Sequence, residues 1–364
     1  MLASNGVKNV CIGSKIIGDG QPAYIIAEAG VNHNGQKEIA LQLIDAALAA
    51  GADAVKFQTF TPEDVVSESA PQAEYQKENT GSNESQFEMI RRLVLPHETF
   101  SELNAYAHKK NIEFLSTPFG YADADFLEDL GVPAFKVSSG DLTNLPFLAF
   151  LAKKKRPLII STGMATMEEI RDAVAELTLH ACEEIIILQC TSEYPAPLSH
   201  ANLRVIETLR KEFDHPIGFS DHTEGTFTPV AAVAVGAKLI EKHFTTSRSL
   251  PGPDHKASLE PRELAEMIAQ IRAVENGSTI DVSEEILGSS EKKPSQEEMV
   301  ISKLVRRGIA ARADIKADEV LTTDNTFAIR PEGEILPREW SAVIGKKARH
   351  DIPRGTSLMW DMMN

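Results

Sequence analysis

Two histidines, His222 in IGFSDHT and His243 in LIEKHFT, follow short apolar runs in a chain that has only ten histidines. Asp221, Glu241 and Asp254 lie beside them, and His255 follows in PGPDHKASL. A neutral imidazole serves as a metal ligand or as an acid–base group. A lone strand-end histidine is ordinarily a satisfied hydrogen-bonding residue. Two at the ends of successive runs, with carboxylates close by, favour one shared ion. Two imidazoles with open oxygen positions suit Mn, Fe, Co or Zn better than Mg or Ca, and water or substrate would complete the shell. Such an ion acts as a Lewis acid. His255 is a third candidate at first sight.

A second set of residues is cationic. Lys56 in AVKF and Lys136 in AFKV each close an apolar run, where an ammonium is costly to desolvate without a partner. Hydroxyls recur at the same level, and Thr117, Ser139, Ser161 and Ser220 with the two lysines would hold a phosphate or carboxylate through charge-assisted bonds. The alternative is that each lysine pairs with a nearby carboxylate. Glu28 in AEAGVNHNG and Asp141 in SSGDLTN are the carboxylates suited to proton transfer or hydroxyl binding, with an ordinary structural role as the alternative. Gly163, in GMATMEEI, precedes a helix start that could receive an anion or be plain structure.

The elements that position these groups are short apolar runs: Tyr24 to Ala27, Ala54 to Phe57, Ile112 to Leu115, Ala134 to Val137, Leu158 to Ile160, Glu184 to Leu188, Ile217 to Phe219 and Leu239 to Ile240. Segments of helical spacing separate them, such as Ile39, Leu43, Ala46, Ala47 and Ala50. Eight alternations predict an α/β fold of the (β/α)8 TIM-barrel type, with a doubly wound sheet as the weaker alternative. In a barrel the carboxyl ends of the strands converge, so both sets of residues should face one cavity. Asn34-Gly35, Thr166 and Glu260-Pro261 announce helix starts. The polar stretch from Thr61 to Arg92 is too long for barrel wall and reads as a lid or a partner-facing excursion. The barrel is expected over 1–283, a linker over 284–303 where apolar periodicity fades, and a small β-rich module over 304–364.

The net charge of -16 argues against nucleic-acid and membrane-surface partners, so an anionic substrate must be held by a local cluster. Three cysteines form no paired framework, which fits a reduced cytoplasm. No leader and no membrane span are expected.

Together IIAEAGVNHNG, AVKFQT, FLSTPF, FKVSSGD, LIISTGM, LQCTSEYPAP, IGFSDHT, EKHFT and PGPDHKASLEP resemble the sialic acid synthase family over nearly the whole chain. That family condenses phosphoenolpyruvate with an N-acetylated hexosamine to make nonulosonic acids. The end of the chain, with VRRGIAARADIKADEVLTTDN and FAIRP, resembles the family's antifreeze-like (SAF) domain. The resemblance implies that His222 and His243 bind a divalent metal, Mn2+ first and Mg2+ or Co2+ as alternatives. It implies that Lys56, Thr117, Lys136, Ser139, Ser161 and Ser220 hold phosphoenolpyruvate. Glu28, Gln58, Tyr194 and Asp254 then surround the sugar, and Arg330 is offered to the N-acetyl group by the neighbouring chain of a domain-swapped homodimer.

The catalytic set so implied is Glu28, Lys56, Lys136 and Asp141. Many bacterial members read SGE where this chain has Ser139-Gly140-Asp141, and some carry Asn at Ser192. The expected acceptor is open-chain N-acetylmannosamine, giving N-acetylneuraminate with C–O cleavage. The alternative is the 2,4-diacetamido-2,4,6-trideoxymannose precursor of N,N'-diacetyllegionaminate. More distant readings are a Schiff-base aldolase using Lys56 or Lys136, and a non-catalytic carbohydrate-binding scaffold.

Overall fold

The computed structural model describes residues 8–364. Eight parallel strands form the barrel: β1 (Tyr24–Gly30), β2 (Ala54–Thr59), β3 (Glu113–Pro118), β4 (Phe135–Val137), β5 (Leu158–Ser161), β6 (Ile185–Cys190), β7 (Ile217–Asp221) and β8 (Leu239–His243). Their order in the sheet is β3-β2-β1-β8-β7-β6-β5-β4, with β3 and β4 side by side where the ring closes. Helices alternate with them: α1 (Lys37–Ala50), α2 (His97–Lys110), α3 (Tyr121–Leu130), α4 (Leu145–Lys153), α5 (Met167–Leu179), α6 (Arg204–Glu212), α7 (Phe227–Ala234) and α8 (Pro261–Glu275). Strands buried on both faces read as near-continuous apolar runs, which is why the eight stretches were visible.

The strands' two faces do different work. Ile25, Ala27, Val55, Phe57, Phe114, Phe135, Ile160, Ile187 and Ile240 point outward and pack against the helices in one large core. Tyr24, Ile26, Ala54, Leu115, Ala134, Ile159, Ile186, Leu188 and Leu239 point inward and fill the lower barrel. A hairpin absent from the sequence reading, Val10–Ile12 with Lys15–Ile17, adds Val10, Ile12 and Ile17 to that inner plug. Because strand side chains alternate, the next inward position is polar on β1 to β5 and on β8. The helix starts are as the turn residues implied: the Thr166 hydroxyl caps α5 with Glu169 returning to its backbone, and Pro261 opens α8.

The excursion after β2 is built rather than loose, with helices at Pro62–Val65, Glu74–Thr80 and Gln86–Arg91. The segment expected as a linker is also structured. It holds Glu284–Leu287 and the helix α9 (Gln296–Val305). Beside Ile286, its buried groups are Lys292, which donates to Gln189 Oε1 (2.9 Å) and the Cys190 carbonyl (3.2 Å), and Glu298. Polar burial leaves no apolar period to read. The final module pairs β9 (Gly308–Ala311) with β10 (Thr326–Ile329) antiparallel, around a small core that includes Ile309, Ile315, Leu321, Trp340 and Val343. No helix among the described residues is long and apolar enough to cross a membrane.

Candidate active site

The mouth of the barrel holds a cavity of about 180 Å3 lined by Glu28, Lys56, Gln58, Thr117, Lys136, Ser139, Ser161, Tyr194, Ser220, His222, His243, Asp254 and Arg330. Of the residues singled out from the sequence, Asp141, Asp221, Gly163 and His255 are not among its lining. Alternation explains the convergence: Glu28 follows Ile26, Lys56 follows Ala54, Thr117 follows Leu115, Lys136 follows Ala134, Ser161 follows Ile159 and Glu241 follows Leu239 by two positions each, on the inward face.

The two lysines are not free. Lys56 Nζ lies 2.6 Å from Glu28 Oε2 and 3.6 Å from Glu241 Oε2, and donates to Thr117 Oγ1 at 3.0 Å. Lys136 Nζ lies 3.6 Å from Glu241 Oε1 and donates to Ser161 Oγ at 2.7 Å. The pairing alternative therefore holds, with Glu241 shared between both cations and accepting from Ser220 Oγ at 3.1 Å. Sequence reasoning counted Glu241 only among the carboxylates beside the two histidines and did not assign it to the lysines. Charge balance inside the barrel is the signal that would have found it.

The two carboxylates differ in protonation. Burial pushes Glu28 up to about 7, against the pull of Lys56 and with repulsion from Glu241. Burial also acts on Glu241, but Lys136 and Lys56 outweigh it and hold the carboxyl down at about 2. Burial lowers Lys136, and Lys56 adds to the effect. The layer thus carries one firm anion, one carboxylate poised near neutrality and two ammonium groups already aimed at hydroxyls. An arriving anion meets preformed donors.

Above this layer, His222 Nδ1 is 2.7 Å from the Thr191 carbonyl, which can only accept, so Nδ1 carries a proton and Nε2 is the nitrogen left for an ion. His243 is buried, its Nδ1 has no partner, and burial with His222 nearby holds it well below the usual histidine range. The rings stand 5.6 Å apart between centroids. Burial lowers His222, but Cys190 and the Thr191 carbonyl outweigh it and hold this ring above the usual histidine range. Two imidazoles, one with an orphaned buried nitrogen and one with its Nδ1 fixed by a carbonyl, fit a divalent metal, which would bind each ring in its neutral form. His255 is structural: its Nδ1 meets Thr245 Oγ1 at 2.7 Å and its Nε2 meets Asn34 Oδ1 at 3.1 Å. A separate group, Glu193, His200 and Glu297, brings three ligand-type atoms within 4.8 Å of one another on the outer side. There Glu193 already accepts from Ser295 at 2.7 Å and meets His200 at 3.0 Å.

Asp141 is placed apart from the others. Its Oδ1 accepts from Arg307 Nε at 2.6 Å and its Oδ2 from Ser138 Oγ at 3.0 Å. Burial raises the carboxyl, but Arg307 and then Arg330 overcome this and keep it below its ordinary value. Gly140 beside it has no room for a side chain, since a Cβ would lie 2.7 Å from the Val305 carbonyl. Asp141 anchors the final module and does not line the cavity. Arg307 went unnoticed because half of its motif, RR, reads as surface charge.

The roof comes from three segments. Tyr75 of the excursion stacks on Tyr194 with centroids 5.0 Å apart, and Tyr194 leans on His222 at 4.1 Å. Asp254 is pushed up to about 6 by burial, with His222 opposing. Arg330 lies over the Phe119 ring at 5.3 Å. The expectation that this arginine arrives from a neighbouring chain differs from what the fold of one chain shows: here its own Arg330 closes its own cavity, because α9 returns across the barrel mouth and the Arg330 backbone pairs with Val65 and Ser67 of the excursion.

Fold and cavity together define a barrel enzyme whose mouth is covered by a second module. Comparison with known proteins agrees. The NeuB family model matches residues 43–280 and the SAF domain model residues 306–363. The chain is 42% identical over 353 residues to the N,N'-diacetyllegionaminic acid synthase of Legionella pneumophila, covering 96% of this chain and 97% of that one. It is 38% identical to the N-acetylneuraminate-9-phosphate synthase of Mus musculus, covering 94% and 93%. The crystal structure of the spore coat polysaccharide biosynthesis protein SpsE from Bacillus subtilis superimposes with a TM-score of 0.82 at 37% identity, over 98% of this chain and 99% of that one. The chain belongs to the NeuB family of sialic (nonulosonic) acid synthases and carries the SAF domain.

Proposed function

We propose that this enzyme condenses phosphoenolpyruvate with the open-chain aldehyde of an N-acetylated mannosamine-type sugar, giving a nonulosonic acid and phosphate. The observation that carries the reading is the layer of Lys56, Lys136, Thr117, Ser139, Ser161 and Ser220 facing His222 and His243 across one cavity. The lysines and hydroxyls pin the phosphate and carboxylate of phosphoenolpyruvate, so that its C3 faces the aldehyde carbon and the new C–C bond forms between them. Water adds at C2, the C2–O bond then breaks, and phosphate departs with the bridging oxygen. Glu28, buried and poised near neutrality, holds and releases one proton beside Lys56. A divalent ion, Mn2+ by preference with Mg2+ or Co2+ as alternatives, would be held by His222 and His243 and supplies Lewis acidity to a carbonyl oxygen. Gln58, Tyr194, Asp254 and Arg330 orient the sugar.

The outer wall favours an uncharged acceptor. Phe60, Val65, Met89, Ile90, Leu93 and Ile301 line it, and Arg330 is the one cation among the described lining residues outside the lysine layer. That supports N-acetylmannosamine over its 6-phosphate, and gives specific support to the second reading, 2,4-diacetamido-2,4,6-trideoxymannose, whose C6 methyl suits an apolar wall. Phosphate release from phosphoenolpyruvate, assayed with each of the three sugars and a divalent metal, tests this. Release with either uncharged sugar is expected, and release with the 6-phosphate alone would overturn the choice.

The working assembly we propose is a cytoplasmic homodimer in which the final module is exchanged, presenting Arg330 to the partner's cavity in the place it occupies here. Mixing Lys136→Met chains with Arg330→Ala chains should restore turnover if the module is exchanged. Mixtures as inactive as their parents would mean that each chain closes its own site.

A further inference from the structure

Glu298 stands at the third position of α9 and is only 3% exposed. Its Oε1 accepts from the backbone N–H groups of Met164 (2.7 Å) and Ser192 (2.8 Å), and its Oε2 from that of Ser295 (3.2 Å). The bond to Ser295 completes an ordinary helix cap. The other two do not serve the helix. They tie the loop that follows Ser161 at the end of β5 to the loop after β6, which carries Tyr194.

The opposite end of α9 grips the same place. Arg306 donates to the Met164 carbonyl at 2.7 Å and to Glu169 at 2.8 and 3.0 Å. Met164 has a φ of 61°, a left-handed backbone that a non-glycine residue adopts at some cost, and it is held from both sides. Arg307 then reaches the loop after β4 through Asp141 at 2.6 Å. The three loops meet at Gly163, whose N–H donates to Ser139 Oγ at 3.0 Å and where a Cβ would lie 2.1 Å from Ser192 Oγ.

We infer that α9 is a clamp on the anion side of the cavity, with Glu298 as the positioning residue that sets the backbone around Ser161, Gly163 and Ser192 for phosphoenolpyruvate. The inference rests on the function proposed above for the identity of the anion. It makes α9, which lies beyond the barrel, part of the phosphoenolpyruvate site, although none of its side chains belongs to the lysine and hydroxyl layer. A buried carboxylate that accepts several N–H bonds is among the stronger ties a loop can have.

The test uses full-length Glu298→Ala and Glu298→Gln. The amide keeps an oxygen for the Met164 and Ser192 N–H groups, so Gln should hold the KM for phosphoenolpyruvate within about threefold of wild type, whereas Ala should raise it about tenfold or more with a smaller change in kcat. A merely structural role would lower the melting temperature and leave that KM alone, which overturns the clamp. If Glu298→Ala is insoluble, Arg306→Ala decides: a rise of about threefold to tenfold is expected, and an unchanged KM overturns the proposal. Amide hydrogen exchange separates this idea from the assigned reaction. Faster exchange at Met164 and Ser192 in the Ala variant, restored by Gln, supports the clamp even if wild type fails to release phosphate from phosphoenolpyruvate. Unchanged exchange counts against it.

Discussion

The floor of the cavity and its roof are built on different principles. The floor is made of regular strands, where a period of two sends Glu28, Lys56, Thr117, Lys136, Ser161, Ser220 and Glu241 to one level above an apolar plug. The roof is made of irregular segments, namely the excursion, the loop around Asp254 and the final module, which meet through Tyr75 on Tyr194 and Arg330 on Phe119. A floor held by eight hydrogen-bonded strands can keep two lysines and two carboxylates in fixed opposition. A roof that must open for substrates cannot be fixed that way, and is held by a few anchored contacts. In the function proposed above, phosphoenolpyruvate belongs to the rigid half and the variable sugar to the adjustable half.

The strongest way to break this division is on the floor. Lys136→Met should cut turnover by at least about a thousandfold, since it removes a donor aimed at developing charge, and should lower the melting temperature because Glu241 loses one of its two cations. Near-normal activity would return the lysine to a purely structural role. Asp141→Asn should be milder. The amide still accepts from Arg307, so a loss of about tenfold with an unchanged pH–rate profile is expected. A loss of a thousandfold or more together with a missing ionisation would make Asp141 a catalytic base after all.

The smallest effect is on stability. The Glu28 carboxyl sits near 4.5 when unperturbed and at about 7 in the fold. Between those values the folded chain holds more protons than the unfolded one, so this group's contribution is most favourable below about pH 4.5 and is lost as pH rises towards 7. Asp254 acts in the same direction between 3.8 and about 6. Melting temperatures of Glu28→Gln should therefore fall less than those of wild type across that window, and parallel curves would contradict the assignment.

The same contrast explains what the sequence disclosed. Strand-borne residues were legible because an apolar run predicts a strand, the strand predicts alternation, and a polar residue closing the run must point into the barrel mouth. His222 and His243 were found this way, and so were both lysines. Glu241 was overlooked as a partner because its role lies in being shared between Lys56 and Lys136, on strands far apart in the chain. Asp141 escaped this reading for the converse reason: it lies beyond the end of β4, in the turn Ser139–Asp141, and faces Arg307, which lies 166 residues away. The segment before the final module looked like a tether because Lys292 and Glu298 bury charge, and burial of charge leaves no periodic trace.

The most direct test of the division between floor and roof is calorimetric titration of phosphoenolpyruvate into the metal-loaded enzyme without any sugar, comparing wild type, Lys136→Met and Arg330→Ala. The account predicts binding to wild type and, within about twofold, to Arg330→Ala, with at least about thirtyfold weaker binding to Lys136→Met. Equal losses in the two variants, or no binding to wild type, would contradict it.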